Sequence, residues 1–166
     1  MKEMEILGAN RFDAWTKTRS GSRALILREE NILLIHEALQ DLWLIPGGGL
    51  EAGESPEACC IREAEEETGL LVRPEKQFLI LSEYYEEYRY ISHYFVCAVT
   101  GKGTMRLTEQ EKARAPRPEW IPLRDALGIF SRHREYAAVS EEKRGIYLRE
   151  FTALTEYCDQ CERERL

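Results

Sequence analysis

Short apolar runs separated by polar turns occupy the first part of the chain. Residues 23–28 and 32–36 are apolar runs on either side of a polar turn at 29–31, and residues 43–45 form a third apolar run. Apolar and β-branched residues that are bounded by polar turn residues are typical of strands. The pattern therefore predicts a hairpin followed by a short strand.

The second half of the chain contains further strand patterns and then changes to a helical pattern. Residues 77–85 and 88–100 are rich in aromatic and β-branched residues, which predicts a second pair of strands, and residues 119–122 are a further strand candidate. Apolar residues then recur at helical spacing, which predicts a short helix over 123–130 and a long helix over 134–158.

A strong helix signal lies between the two groups of strands. Ser55 is a suitable N-cap, because its hydroxyl can accept a hydrogen bond from a first-turn N–H, and Pro56 is favoured at the next position. Residues 58–68 contain neither proline nor glycine, and Gly69 suits the left-handed conformation that ends many helices. We therefore predict a helix that begins at Ser55 and ends at Gly69.

Three glutamates share one face of this predicted helix. Glu63, Glu66 and Glu67 stand at positions i, i+3 and i+4, so their side chains are neighbours. Such like charges repel one another, whereas a hard divalent cation would turn the repulsion into coordination. The alternative is a solvated helix face with intrahelical pairs such as Arg62 with Glu66. The glycine-rich loop before the helix, Glu54 and the terminal glycine together favour the metal site.

Length and composition agree with one compact domain. A chain of 166 residues with 43% hydrophobic content can bury a single sizeable core. We expect one domain over residues 1–166, with its core at about residues 20–130 and a C-terminal helical extension at about residues 131–160. No repeat or flexible linker interrupts this range.

Charge, hydropathy and cysteine usage narrow the class of protein. A formal net charge of -7 without a long Lys/Arg run argues against nonspecific nucleic-acid binding. No apolar run approaches the length of a membrane span, and the first twenty residues lack the apolar centre of a secretory signal, so we expect a cytoplasmic protein without a membrane partner. Five cysteines suggest no disulfide framework, and for the CxxC of Cys158 and Cys161 helix packing is favoured over metal binding or redox chemistry.

The spacing around the helix matches a known family signature. Gly48 is followed after five residues by Glu54 and, after seven more, by residues 62–70, which together look like a complete Nudix box. Residues 42–49 resemble the strand and glycine loop that lead into this box in Nudix hydrolases. The resemblance covers about residues 20–130 and implies an α/β fold of the Nudix type, an α/β/α sandwich with a mixed β-sheet.

The same resemblance implies an activity. Nudix hydrolases cleave a nucleoside diphosphate linked to another group X, so we expect a metal-dependent pyrophosphohydrolase in which water attacks phosphorus. The ligands of Mg²⁺ or Mn²⁺ would be Glu63, Glu66, Glu67 and the backbone carbonyl of Gly47. Two alternatives stay open: a 5′-end RNA pyrophosphohydrolase, and a nucleotide-binding sensor without turnover.

Further residues receive roles in the catalytic centre. Arg62 is expected to orient the glutamates through bidentate contacts. Glu54 at the helix start either caps the helix locally or assists the metal or the water. A general base often comes from a later loop in this family, and Glu111 is favoured for that role over Glu109. An ordinary solvated loop is the alternative for both of these glutamates.

Candidate substrate contacts lie on the predicted strands. Arg23 and Arg28 can hold phosphate oxygens if they face the cleft, and surface solvation is the alternative. Tyr88 lies near the position at which dinucleoside polyphosphate hydrolases of this family carry a tyrosine, and it can stack on a base, although five tyrosines in this region make a coincidence possible. The expected partner is a small nucleotide-type molecule, with nucleic acid disfavoured and a homodimer possible.

Overall fold

Eight strands form one mixed sheet at the centre of the molecule. The computed structural model describes residues 1–165. The strands follow the order β1-β6-β7-β2-β3-β4, with β5 paired to β2 and β8 paired to β3. Their bounds are β1 Lys2–Leu7, β2 Lys17–Arg28, β3 Asn31–Glu37, β4 Leu42–Leu44, β5 Gly47–Gly49, β6 Leu70–Tyr85, β7 Tyr88–Lys102 and β8 Pro116–Pro122.

The helices lie on both faces of this sheet. Helix α1 follows β5, the short helix α2 precedes β8, and α3 and α4 complete the chain after β8. A 3₁₀ turn, Arg132–Tyr136, separates the last two helices. Their bounds are α1 Pro56–Thr68, α2 Glu109–Lys112, α3 Leu123–Ser131 and α4 Glu141–Glu164.

Strand β2 pairs with both β7 and the glycine strand β5. It runs parallel to β7, with Arg23 opposite Tyr94, and antiparallel to β5, with Arg23 opposite Gly47. Strands β6 and β7 form a long antiparallel hairpin, and β1 runs parallel to the outer edge of β6. This pairing brings the glycine loop next to the middle of the sheet.

Two hydrophobic cores lie on opposite faces of the sheet. The larger one packs β-strand residues such as Leu25, Leu79 and Tyr94 against α3 and α4, which contribute Phe130 and Leu154. The smaller one packs the other face against α1, and its members include Ala24, Ile26, Cys60, Ala64 and Phe95. Since residues of one strand point alternately to the two faces, β2 supplies both cores. The predicted α/β/α sandwich with a mixed sheet is confirmed.

The structure corrects the limits of several predicted elements. Strands β2, β6, β7 and β8 are longer than their apolar patterns suggested, because backbone pairing continues through polar residues. The helix predicted over 134–158 begins only at Glu141, where the Ser140 side chain accepts a hydrogen bond from the Lys143 N–H. The residues before that cap form the 3₁₀ turn and a connection in which Val139 is 80% exposed, so Val139 does not contribute to the core.

The cysteines are free thiols inside the fold. Cys60 of α1 and Cys97 of β7 meet in the smaller core with 3.6 Å between their sulfurs. Cys158 and Cys161 are half-buried on α4, and within residues 1–165 no group of three metal-ligating side chains includes them. In the same part of the chain, no helix is both long enough and apolar enough to cross a membrane.

Candidate functional site

The glycine loop before α1 brings backbone atoms close to neighbouring groups. Gly47 has a φ of 149°, and a Cβ there would lie 2.0 Å from the carbonyl oxygen of Ser22. At Gly48 a Cβ would lie 2.4 Å from the carboxylate of Glu63. Gly47 therefore needs glycine for the pairing of β5 with β2, whereas glycine at position 48 leaves room for the Glu63 carboxylate of α1.

Helix α1 has the limits that its sequence predicts. The Ser55 side chain accepts from the Ala58 N–H at 3.1 Å, and Gly69 ends the helix in the left-handed conformation, with its N–H donating to the Glu65 carbonyl. The apolar side of the helix, which includes Cys60 and Ala64, is buried in the smaller core. The glutamates on the remaining side are left facing the glycine loop.

Arg62 is the centre of a network that connects the helix with the loop. Its Nε and Nη2 donate to the two carboxylate oxygens of Glu54 at 2.8 and 2.9 Å. Its Nη1 donates to Glu63 at 2.7 Å and to Glu66 at 3.2 Å, and Nη2 also donates to the Gly49 carbonyl at 3.0 Å. The hydrogen bond from Arg62 lowers the pKa of Glu54 to about 2. Arg62 thus holds three carboxylates in place, as a planar five-donor fork can.

Glu67 takes a different partner. Its Oε2 accepts from the Gly47 N–H at 2.8 Å. Burial raises the pKa of Glu67 to about 8, despite that hydrogen bond and the positive charge of Arg23. Burial also raises the pKa of Glu63, against the opposing effect of Arg62. Both carboxylates therefore lie where a negative charge is costly and an additional cation would be stabilising.

The three glutamates of α1 do not form a ready-made cage. Glu63 and Glu66 are held by Arg62, whereas Glu67 is turned to the loop backbone. Accordingly, the described residues contain no group of three carboxylate, histidine or cysteine side chains already arranged as metal ligands. The structure brings these carboxylates together around one loop, each with a hydrogen-bond partner from the protein.

Glu111 is the third residue of α2 and forms a capping box with Thr108, the N-cap residue of that helix. Its carboxylate accepts from the Thr108 N–H at 2.6 Å and from the Thr108 hydroxyl at 2.8 Å. Its charge is one of those that raise the pKa of Glu67, so the two carboxylates are close enough to interact. Its neighbour Glu109 is exposed and pairs with Lys112. The geometry therefore distinguishes the two glutamates of this loop.

Arg23 stands between the carboxylates and an open cleft. Its Nη1 donates to the Gly47 carbonyl. Burial raises the pKa values of Glu63 and Glu67 on one side of Arg23 and of Glu83 on the other, and the positive charge of Arg23 opposes this rise. The cleft has a volume of about 470 Å³ and lies between the sheet and the start of α4. Besides Arg23, its lining includes Glu83, Tyr85, Tyr90, Ile146 and Arg149.

Two residues expected at the substrate lie elsewhere. Arg28 is exposed at the end of β2, where its guanidinium lies 4.4 Å from the ring centre of Trp120. Because it is five residues from Arg23, it lies on the other face of β2, the face of Ala24 and Ile26, and its side chain is occupied by Trp120. Tyr88 stacks on Tyr90 with 5.3 Å between ring centres, and it lines a neighbouring hollow rather than the 470 Å³ cleft. The structure therefore does not bring Arg28 and Tyr88 to the carboxylates.

Comparison with known families assigns the chain to one of them. The model of the NUDIX domain matches residues 17–141, which is more than half of the chain. The chain belongs to the Nudix hydrolase family. The family resemblance seen in the glycine loop and the glutamate-rich helix is thereby confirmed.

Curated Nudix relatives with different described substrates match this chain. A Bacillus subtilis (strain 168) protein named as a candidate ADP-ribose pyrophosphatase is 30% identical over 107 residues, and the match covers 61% of this chain and 51% of that protein. This chain thus spans about half the length of that relative. Diphosphoinositol polyphosphate phosphohydrolase 3-alpha of Mus musculus is 28% identical over 117 residues, with 70% of each chain covered.

Solved Nudix structures share the fold. A NUDIX hydrolase from Nitrosomonas europaea matches with a TM-score of 0.56 and 21% identity, over 82% of this chain and 90% of that chain. Such a likeness at low identity supports the architecture and leaves the substrate open. The substrate has to be argued from the site of this chain.

The donor set of this Nudix site fits a hard divalent cation. Such cations prefer carboxylate and backbone carbonyl oxygens, which Glu63, Glu66, Glu67 and the Gly47 carbonyl supply. The raised pKa values of Glu63 and Glu67 come from burial of their charge, which a bound cation would offset. The chemistry of the residues present is thus compatible with the metal expected from the family.

Several residues that line the cleft could not be predicted as site residues from the sequence. Glu83 and Tyr85 follow the buried Leu79 and Leu81 at a spacing of two, so strand alternation places them on the same face of β6. That alternation was the one available signal. Arg149 comes from α4, and nothing local in the sequence connects it with a strand more than sixty residues earlier.

A single methyl group at Gly48 tests the placement of Glu63. We expect Gly48→Ala to displace the Glu63 carboxylate and to lower kcat/KM by about 10- to 100-fold, as loss of a ligand-positioning contact does. The thermal midpoint should change little, because the displaced group is the end of a flexible side chain. The matched control is Gly49→Ala, whose Cβ would have 3.9 Å to its nearest neighbour, the Ser20 carbonyl. Equal activity of the two variants would contradict the expected role of Gly48.

Proposed function

We propose that this Nudix protein hydrolyses the pyrophosphate linkage of a nucleoside diphosphate that carries another group X. The products are two phosphorylated fragments. One observation carries the proposal: the glutamates of α1 and the Gly47 peptide border the same Arg23 that lines the 470 Å³ cleft. Groups suited to a metal and its phosphate ligand thus adjoin a cavity of a size suited to a small organic moiety.

The chain's own residues have separate roles in this proposal. The metal ligands would be Glu63, Glu66, Glu67 and the Gly47 carbonyl, and a bound Mg²⁺ or Mn²⁺ would neutralise phosphate oxygens and make a water more acidic. Arg62 fixes Glu63 and Glu66 through its fork of hydrogen bonds.

Two charged groups complete this set. Arg23 contacts phosphate oxygens at the border of the cleft, since its guanidinium is the positive group nearest to Glu67 and the Gly47 carbonyl among the contacts described. Glu111 is the proposed general base, because its charge already acts on Glu67 from a separate loop. Its capping hydrogen bonds to Thr108 must open for that role.

The charge of the cleft favours a nucleotide over a polyphosphorylated alcohol. Four carboxylates line it, from Glu83, Glu86, Glu141 and Glu142, against two guanidinium groups. A polyanionic X would be repelled by this lining, whereas an uncharged base can stack on the ring of Tyr90. The substrate named for the Mus musculus relative is therefore disfavoured for this chain.

A substrate screen with mass detection tests the proposed reaction. Purified protein is incubated with Mg²⁺, with Mn²⁺ or with EDTA, and with nucleoside triphosphates, ADP-ribose, other nucleotide sugars, triphosphorylated RNA or a diphosphoinositol phosphate. We expect cleavage of nucleoside pyrophosphates with either metal and loss of cleavage in EDTA.

The outcomes separate the competing functions. Cleavage that persists in EDTA would contradict the metal ligands, and a preference for the diphosphoinositol phosphate would contradict the role of the acidic cleft. Nucleotide binding without product from any compound would identify a sensor. Release of pyrophosphate from RNA alone would indicate a 5′-end RNA pyrophosphohydrolase.

A further inference from the structure

Three buried donor atoms of the cleft have no hydrogen-bond partner within residues 1–165. They are the hydroxyl of Tyr85, the Nε of Arg149 and the Nε of Arg23. A buried donor without a partner costs free energy, so such groups are rare in folded proteins unless a ligand or water satisfies them. Their presence in one cleft points to a ligand with hydrogen-bond acceptors.

Arg149 is held in place by the buried Glu150 and Tyr94. Its Nη2 donates to Glu150 at 2.7 Å, and the other oxygen of that carboxylate accepts from the Tyr94 hydroxyl at 2.9 Å. Glu150 is fully buried, and the Arg149 side chain is only 11% exposed. Because Nη2 is committed to Glu150, Nε and Nη1 are the donors that Arg149 has left for a ligand.

Glu83 supplies an acceptor beside these donors. Its side chain is 4% exposed, and its carboxylate lies 3.8 Å from Nη1 of Arg149, which is too long for a hydrogen bond. Glu83 and Tyr85 are two residues apart on β6 and therefore point to the same side of the sheet. The floor of the cleft thus presents a carboxylate acceptor next to two donors.

The remaining walls suit a flat ring. Tyr90 offers an aromatic surface and Ile146 an apolar one. Gly145 lies where helix α4 passes the floor, and a Cβ there would come within 2.6 Å of the Tyr85 hydroxyl. A glycine inside a helix is destabilising relative to alanine. Here it leaves the Tyr85 hydroxyl room at the cleft.

We propose that Glu83, Tyr85 and Arg149 select a base with a lactam edge, such as guanine, hypoxanthine or uracil. The ring N–H of such a base donates to Glu83, and the adjacent carbonyl oxygen accepts from Tyr85 and Arg149. Adenine and cytosine present a bare ring nitrogen beside an amino group, which places a lone pair against the carboxylate and a donor against donors. This inference rests on the proposed function, because it assumes that the group in the cleft is a nucleobase of the nucleotide substrate.

The test compares bases in turnover and in binding. In the presence of Mg²⁺, kcat/KM is measured for GTP, ITP and UTP against ATP and CTP. Binding of GMP and AMP is measured by calorimetry in EDTA, which does not depend on catalysis. We expect a preference of about tenfold or more for lactam bases, since buried groups left unpaired by the wrong base are costly.

Two variants and one matched control assign the preference to the floor of the cleft. Tyr85→Phe and Glu83→Gln should each reduce the preference to about threefold or less, because one donor or the carboxylate is lost. The control is Tyr84→Phe, which removes a hydroxyl from the next residue on the opposite face, where it donates to Glu5 at 2.9 Å. This control should keep the full preference.

The outcomes are decisive in both directions. Equal use of all bases, a preference for adenine or cytosine, or a preference that survives both Tyr85→Phe and Glu83→Gln in folded protein would overturn the inference. If no nucleotide is hydrolysed but GMP binds at least about tenfold more tightly than AMP, the proposed reaction fails and the inference about the base stands.

Discussion

Glu67→Gln should lower kcat on the order of 10³-fold while the protein remains folded. The substitution keeps the size of the side chain and an oxygen that can accept from the Gly47 N–H, but it removes the negative charge proposed to bind the cation. The measurement is kcat with saturating Mg²⁺ and with Mn²⁺, combined with calorimetric titration of Mn²⁺ into the substrate-free protein. Loss of activity should be accompanied by weaker Mn²⁺ binding.

The same substitution should stabilise the metal-free protein near neutral pH. Burial raises the pKa of Glu67 to about 8 from an ordinary value of 4.5. The folded state therefore binds this proton more tightly than the unfolded state, and stability falls as the pH rises from about 4.5 to about 8. Because glutamine does not ionise, the variant avoids this loss. We expect its free energy of unfolding in EDTA at pH 7 to exceed that of the wild type by on the order of 2 kcal/mol.

The matched control for both effects is Glu57→Gln. Glu57 is an exposed glutamate in the first turn of the same helix, so the chemical change is identical, and this residue does not line the cleft. Full activity of Glu67→Gln, or unchanged Mn²⁺ affinity, would remove Glu67 from the proposed ligands. A pH-independent stability difference between Glu67→Gln and wild type would contradict the buried charge.

Arg62→Ala should reduce both activity and stability. Arg62 bridges Glu54, Glu63, Glu66 and the Gly49 carbonyl, so its loss leaves three neighbouring carboxylates without their shared cation. We expect kcat/KM to fall by about 10- to 100-fold, as for groups that orient metal ligands. The free energy of unfolding should fall by about 2 kcal/mol, less than for a fully buried pair because the Arg62 side chain is 22% exposed.

The pH dependence of this stability loss should identify Glu54 as the main partner of Arg62. Arg62 holds the pKa of Glu54 at about 2, below the ordinary value of 4.5. A carboxyl with a lowered pKa stabilises the fold above its unfolded pKa, and this contribution is lost as the pH falls through about 2. The stability difference between wild type and Arg62→Ala should therefore be largest above about pH 4.5 and shrink toward pH 2.

Denaturant unfolding at several pH values measures this difference. Arg73→Ala is the control, since it removes an equal charge from an exposed pair with Glu75. Surface pairs of that kind contribute about 1 kcal/mol or less. If Arg62→Ala behaved like Arg73→Ala in both stability and kcat/KM, the role of Arg62 as the organiser of the carboxylates would be wrong.

The helix that carries the glutamates was readable from the sequence because its determinants are local. Ser55 caps the first turn and Gly69 ends the last, and each acts through groups within four residues. The spacing of Glu63, Glu66 and Glu67 on one face follows from helical geometry alone. The start of helix α4 was less predictable. Apolar residues recur at helical spacing over residues 134–158, but the first of these residues form a 3₁₀ turn, and α4 begins only after the Ser140 cap.

The sequence by itself determined the family, the box helix and the identity of the acidic residues beside the glycine loop. Only the tertiary structure decided which other side chains join them, since Arg23 and Arg28 look alike on one strand and only Arg23 reaches the Gly47 carbonyl. The cleft was equally invisible, because Glu83 and Arg149 meet through sheet pairing and helix packing between distant segments. Local interactions fix spacing along one element, whereas contacts between elements depend on register and packing that no short pattern encodes.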